Sequence, residues 1–177
     1  MKLLLHICCA PCSVMCISKL REDGIDVTGY WYNPNIHPFT EYQNRLAALK
    51  GYSELINLPV IYNDFYGLRL FVKLIDGRMD DRCKSCYEER LTAVALEAKK
   101  LGYDAFSTTL LISPYQQHET LRLVAERVAA KIKIPFYYVD FRNYFREGQQ
   151  IARKLPLYMQ KYCGCIFSEE ERYLGKK

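Results

Sequence analysis

The chain alternates short, nearly unbroken apolar runs with longer amphipathic stretches. This is the pattern of strands buried on both faces with helices laid over them. "KLLLHIC" predicts a first buried strand, followed by a helix from about Ser13 to Glu22 that Gly24 stops. "DVTGYWYN" predicts a second strand, ended by "NPNIHP". A helix from about Thr40 to Leu55 follows, with Thr40 as its candidate cap, and "PVIYND" is a third short strand. "GLRLFVKLI" predicts a helix ending near Gly77, and a longer helix runs from about Tyr87 to Lys100, stopped by Gly102. "DAFSTTLL" is a fourth strand, and "SPYQQHETLRLVAERVAAKI" is a helix opened by Ser-Pro. "PFYYVD" is a fifth strand, residues 142–155 are another helix, and a cysteine-bearing segment ends the chain.

Strands that alternate with helices predict an α/β fold, doubly wound, with a mainly parallel five-stranded sheet. In such folds the site lies beyond the carboxyl ends of the strands. Cys8 and Cys9 follow the first strand, Ser113 to Gln116 the fourth, and Asp140 to Arg142 the fifth, so these segments are expected to converge. With 177 residues, half of them hydrophobic, residues 1–177 are read as one domain with a real core, which excludes a disordered chain. The first apolar run is too short to span a bilayer and lacks the shape of a secretory signal. A cytoplasmic protein with no membrane association is therefore expected.

The net charge of +5 is uneven. Residues 1–130 balance 15 Lys and Arg against 15 Asp and Glu, whereas residues 131–177 carry 10 against 5. The same tail is rich in aromatics, among them Phe136, Tyr137, Tyr138, Tyr144, Phe145, Tyr158 and Tyr162. Basic residues interleaved with aromatics suit a polyanion with bases that can stack, and they also suit a solvated face over an aromatic core.

The eight cysteines carry the candidate chemistry. In a reducing compartment clustered thiols point to metal or redox chemistry rather than to a disulfide framework. Cys8, Cys9 and Cys12 open the chain, Cys83 and Cys86 form a Cys-x-x-Cys, and Cys163 and Cys165 form a Cys-x-Cys around Gly164. Cys16, in the middle of a helix, is read as core packing. Seven thiols exceed the four of a structural zinc or a single cluster. They fit a four-thiolate cluster plus a second metal with open positions, or one zinc knot with spare buried thiols. Adjacent residues on a strand point to opposite sides, so Cys8 and Cys9 are expected to serve different metals.

In order along nearly the whole chain, "LLLHICCAPCS", "RCKSCYEERL", "FSTTLLISPYQ" and "YYVDFRNYFREGQQIARKLPLYMQKYCGCIFS" resemble the QueH family, the cobalamin-independent epoxyqueuosine reductases. The resemblance implies a fold of the adenine nucleotide α-hydrolase-like (HUP) type. It implies removal of the epoxide oxygen from epoxyqueuosine at the tRNA wobble position, with a [4Fe–4S] cluster beside a mononuclear iron. On that basis Cys9, Cys83, Cys86 and Cys163 are expected to hold the cluster, and Cys8, Cys12 and Cys165 the single iron. Tyr115, His118 and Tyr162 are the candidate proton donors. His6 is a further candidate, read mainly as a satisfied core residue. Arg142, Arg146, Arg153, Lys154 and Lys161 are the expected phosphate contacts, with Tyr144 or Tyr158 near a splayed base. An external electron donor of ferredoxin or flavodoxin type completes the expected partners.

Three other readings compete. An adenylating tRNA sulfur transferase would need a glycine-rich phosphate loop where this chain reads "CCAPCS". A zinc-stapled RNA-binding module is the non-enzymatic alternative. A dithiol oxidoreductase built on Cys83 and Cys86 leaves five candidate thiols unexplained.

Overall fold

The computed structural model describes residues 1–175. Four strands form one parallel sheet: β1 (Lys2–His6), β2 (Asp26–Trp31), β3 (Val60–Tyr62) and β4 (Ala105–Thr108), in the order β3-β2-β1-β4. Seven α-helices accompany them among the described residues: α1 (Ala10–Glu22), α2 (Phe39–Leu55), α3 (Leu68–Ile75), α4 (Arg82–Leu101), α5 (His118–Ile132), α6 (Phe145–Lys154) and α7 (Ile166–Leu174). The Leu3-Leu4-Leu5 run of β1 is completely buried, as a central parallel strand requires. Helix α4 packs on β1 and β4 and against α5, and α1 packs on β2 and α6.

β1 pairs with β2 on one side and β4 on the other. Strand order therefore reverses beside β1, and the crevice beyond β1 and β4 is the place where this architecture gathers a site. The first link across that crevice is the Cys8 amide, which donates to Thr109 Oγ1 at 3.1 Å.

The expected fifth strand is absent. "PFYYVD" contributes a single parallel bridge, Phe136 to Phe106, closed by Phe106 N to Pro135 O at 3.0 Å and Tyr137 N to Phe106 O at 2.8 Å. Pro135 offers no amide, and two residues beyond the bridge the Tyr138 hydroxyl is engaged by His118 at 3.0 Å. The ladder therefore ends after one rung.

Several boundaries also move: α1 starts at Ala10 rather than Ser13, and α6 at Phe145 rather than 142. Pro38, not Thr40, precedes α2. Ser113 and Pro114 form a turn, with the Tyr115 amide on Ser113 Oγ, and α5 starts at His118. Helix α4 begins at Arg82, more than a turn before the expected Tyr87, which puts both Cys83 and Cys86 on the helix. Gly102 ends it in the left-handed region, at φ 73°. The cysteine-bearing terminus contains a helix not foreseen from the sequence, α7, whose first turn is capped by the Cys165 sulfur accepting from Ser168 N at 3.4 Å.

Candidate metal centre

Strand β1 ends at His6, so Cys8 and Cys9 lie in the turn into α1 rather than on a strand. Alternation no longer applies there. The two sulfurs do not point to opposite sides: they are 3.8 Å apart, and with Cys12 on the first turn of α1 they form a set within 4.8 Å of one another. All three thiols are buried. Hydrogen bonds from Cys12, Cys9 and Thr109 favour the thiolate of Cys8 and draw its pKa well below the usual thiol range. Burial pushes Cys9 the other way. The Thr109 hydroxyl donates to Cys8 Sγ at 3.3 Å, and the Gln160 amide donates to Cys9 Sγ at 2.8 Å. A soft, buried sulfur set with hydrogen-bond donors in place suits a thiophilic metal.

Helix α4 and the C-terminal segment contribute a second sulfur group. Cys83 and Cys86, at i and i+3, share one face of α4. Cys86 and Cys165 are packed together with Phe71 and Ile75 of α3. Burial pushes the Cys86 thiol up to about 12, and Cys163, Cys165 and Cys83 add to that rise. These four sulfurs therefore lie within electrostatic reach of one another. Cys163 is the exposed member and accepts from Gln116 Nε2 at 3.4 Å. Cys16, fully buried among apolar residues, belongs to the core as expected.

The strap that brings Cys163 and Cys165 to the site is held by two buried charges. Arg45 donates from Nη1 to Cys163 O at 2.8 Å, from Nη2 to Tyr162 O at 3.0 Å and from Nε to Glu41 at 2.7 Å. The other oxygen of Glu41 accepts from the Tyr158 hydroxyl. The His37 amide donates to Gly164 O at 2.8 Å. Gly164 has φ 148°, and a Cβ there would meet Asn35, Ile36 and Arg45 at 3.2, 3.3 and 3.4 Å. The bend between the two cysteines therefore favours glycine.

The expected proton donors are placed very differently. Tyr115 is 84% exposed at the rim, edge-on to Phe145 and next to Gln116. Tyr162 donates to His37 O at 2.5 Å with its ring beneath Arg45, and burial raises its pKa to about 12. His118 is buried and bonded to Tyr138. None of the hydrogen bonds of these three side chains reaches a sulfur. His6 is completely buried, with Nδ1 2.9 Å from Thr108 Oγ1 and Nε2 3.2 Å from both Tyr32 O and Asn33 Oδ1. Burial lowers its pKa to about 4, so it is a neutral core residue.

Among the basic residues Arg146, Arg153, Lys154 and Lys161 are exposed, while Arg142 is engaged in a two-point pair with Asp140. Tyr144 lies beneath the Lys19 ammonium, and Tyr158 is tied to Glu41. Sequence reasoning missed Arg45, Arg90, Thr109 and Gln160. Only Arg90, seven residues after Cys83 on the same helix face, left a spacing that could have found it.

Comparison with known proteins identifies the family. The family model described as "Epoxyqueuosine reductase QueH" matches residues 3–171. A protein of that name from Dehalococcoides mccartyi is 40% identical over 97% of this chain and 94% of its own. One from Thermotoga maritima is 33% identical over 96% of this chain and 91% of its own. One from Helicobacter pylori is 36% identical over 94% of this chain, which spans only 49% of that longer relative. With a family match over nearly its whole length, the chain belongs to the QueH family of epoxyqueuosine reductases.

Proposed function

We propose that this chain, acting as one unit of the HUP type in the cytoplasm, removes the epoxide oxygen of epoxyqueuosine in the tRNA anticodon. The overall change takes two electrons and two protons, leaves an alkene and releases water. The observation that carries the reading is the presence of two sulfur groups: Cys8, Cys9 and Cys12 within 4.8 Å of one another, and Cys83, Cys86, Cys163 and Cys165 within electrostatic reach of one another. That donor chemistry fits a [4Fe–4S] cluster and a mononuclear iron. The grouping cuts across the split expected from sequence. Cys83, Cys86, Cys163 and Cys165 are the better set for the cluster, and Cys8, Cys9 and Cys12 for the single iron. When bound, these centres supply electrons one at a time and a Lewis-acidic position for oxygen.

The protein's own groups do the rest. The Gln160 and Thr109 donors fix the sulfurs of the three-thiol set, and Gln116 fixes Cys163. Tyr115, exposed beside Gln116, is placed to stack on the splayed nucleoside, with protons drawn from the open rim. Tyr162 and His118 serve as holders of the strap and of α5 rather than as acids. Arg146, Arg153, Lys154 and Lys161 offer free cations to phosphates, with Arg142 able to exchange Asp140 for one. An external one-electron carrier of ferredoxin or flavodoxin type would approach the exposed Cys163 edge.

The test is anaerobic reconstitution followed by incubation with an epoxyqueuosine-bearing stem-loop and a reductant. Product mass should fall by one oxygen. Cys83→Ala should lose the acid-labile sulfide, and Cys12→Ala should lose one iron and keep it. A wild-type protein that binds neither iron nor sulfide would end the proposal, and loss of all sulfide in Cys12→Ala would end the grouping.

A further inference from the structure

Arg90 is 2% exposed, yet it has no carboxylate partner among the described residues. Its Nε makes one long bond, 3.3 Å, to the carbonyl of Cys86 in its own helix, and its buried Nη2 has no acceptor. An arginine stays protonated in proteins, and a buried charge without a counter-charge is strongly unfavourable. The titratable groups within its electrostatic reach are Cys83, Cys86 and Cys163 of one sulfur set, Cys8 of the other, Tyr87 and the neutral His6.

We infer that Arg90 is the resident counter-ion of the metal centre, a buried cation on the helix that carries Cys83 and Cys86, which offsets the thiolates and favours the reduced state. The inference rests on the proposed assignment of iron to these thiols. Four thiolates outweigh the positive charge of a [4Fe–4S] core, and each added electron makes the assembly more negative. A fixed cation in a low-dielectric site stabilises the more negative state. Removing it therefore makes reduction harder. Arg45, the other arginine buried as deeply, already has Glu41 and two strap carbonyls, so Arg90 carries this role alone.

The test uses reconstituted wild type, Arg90→Met and Arg90→Lys. Methionine fills the space without leaving a buried N–H unsatisfied, and lysine keeps the charge without the fork. Iron and sulfide per chain are counted first, and the midpoint potential is then measured by spectroscopic redox titration. We expect full loading in all three. Arg90→Met should shift the reduction equilibrium at least tenfold against reduction, about 59 mV lower for a one-electron couple. Arg90→Lys should stay within about threefold of wild type. An unshifted potential in a fully loaded Arg90→Met overturns the inference. If Arg90→Met does not fold, Arg90→Lys decides alone: a tenfold shift with the charge retained refutes a charge role. A wild type without iron would instead refute the assignment beneath it.

Discussion

Replacing Arg45 by methionine tests whether the thiol strap is held by charge. The guanidinium is 2% exposed and its Glu41 partner 8%, and all three of its nitrogens are in use. Removing it leaves a buried carboxylate with only the Tyr158 hydroxyl, and the carbonyls of Tyr162 and Cys163 lose their donor. Breaking a buried pair from one side costs about 3–5 kcal/mol. For a chain of this size that is a fall in Tm on the order of 10 °C. The strap should also open locally, so trypsin should cut at Lys161 faster than in wild type under native conditions. Glu41→Leu combined with Arg45→Met removes both charges. It should regain much of the stability while the strap stays open, because the carbonyls still lack a donor. Urea melts and timed proteolysis read the two effects separately. If Arg45→Met loses less than about 1 kcal/mol and its strap is cut at the wild-type rate, the clasp is not what holds Cys163 in place.

Two further outcomes follow from buried side chains. His6 has a folded-state pKa of about 4 against an ordinary 6.5, so the unfolded chain binds more protons between those values. Its contribution is complete above pH 6.5 and is lost as pH falls to 4, up to about 3 kcal/mol. Melts across that window should show a smaller fall in His6→Gln, and parallel curves would refute the linkage. Cys16→Ala should lose about 1–2 kcal/mol by leaving a small cavity. It should bind iron and sulfide as wild type does, and a drop in either would make Cys16 a ligand.

The parts of the fold carried by local pattern were legible. β1, α1 and the stop of α4 at Gly102 follow from an apolar triplet, helical spacing and a left-handed glycine. The failures lie where tertiary contact overrules pattern. "PFYYVD" has strand composition, but it opens with a proline and its Tyr138 hydroxyl is engaged by His118 of α5, so one bridge is all it forms. The first turn of α4, "RCKS", is polar and gives no apolar period. It is fixed by Arg82 pairing with Glu171 of α7. In the site, the cysteines were visible because thiol spacing is local. Their geometry was not, since the end of β1 at His6 decides which way Cys8 and Cys9 face. Arg45 reaches partners 117 and 118 residues away, a separation no periodicity encodes.

The two deeply buried arginines show why burial alone does not assign a role. Arg45 meets a carboxylate and two carbonyls, so its charge is neutralised by groups that exist whether or not metal is bound. Substituting it should therefore cost stability first and metal chemistry second. Arg90 makes one long carbonyl bond, with thiols only within electrostatic reach. In the metal-free fold it lacks a fixed counter-charge, and an apolar residue of similar size removes an unfavourable charge. Arg90→Met should thus melt no lower than wild type before reconstitution, even though its reduced centre is harder to reach afterwards. Opposite signs at two equally buried positions separate a structural cation from one that exists for the thiolates.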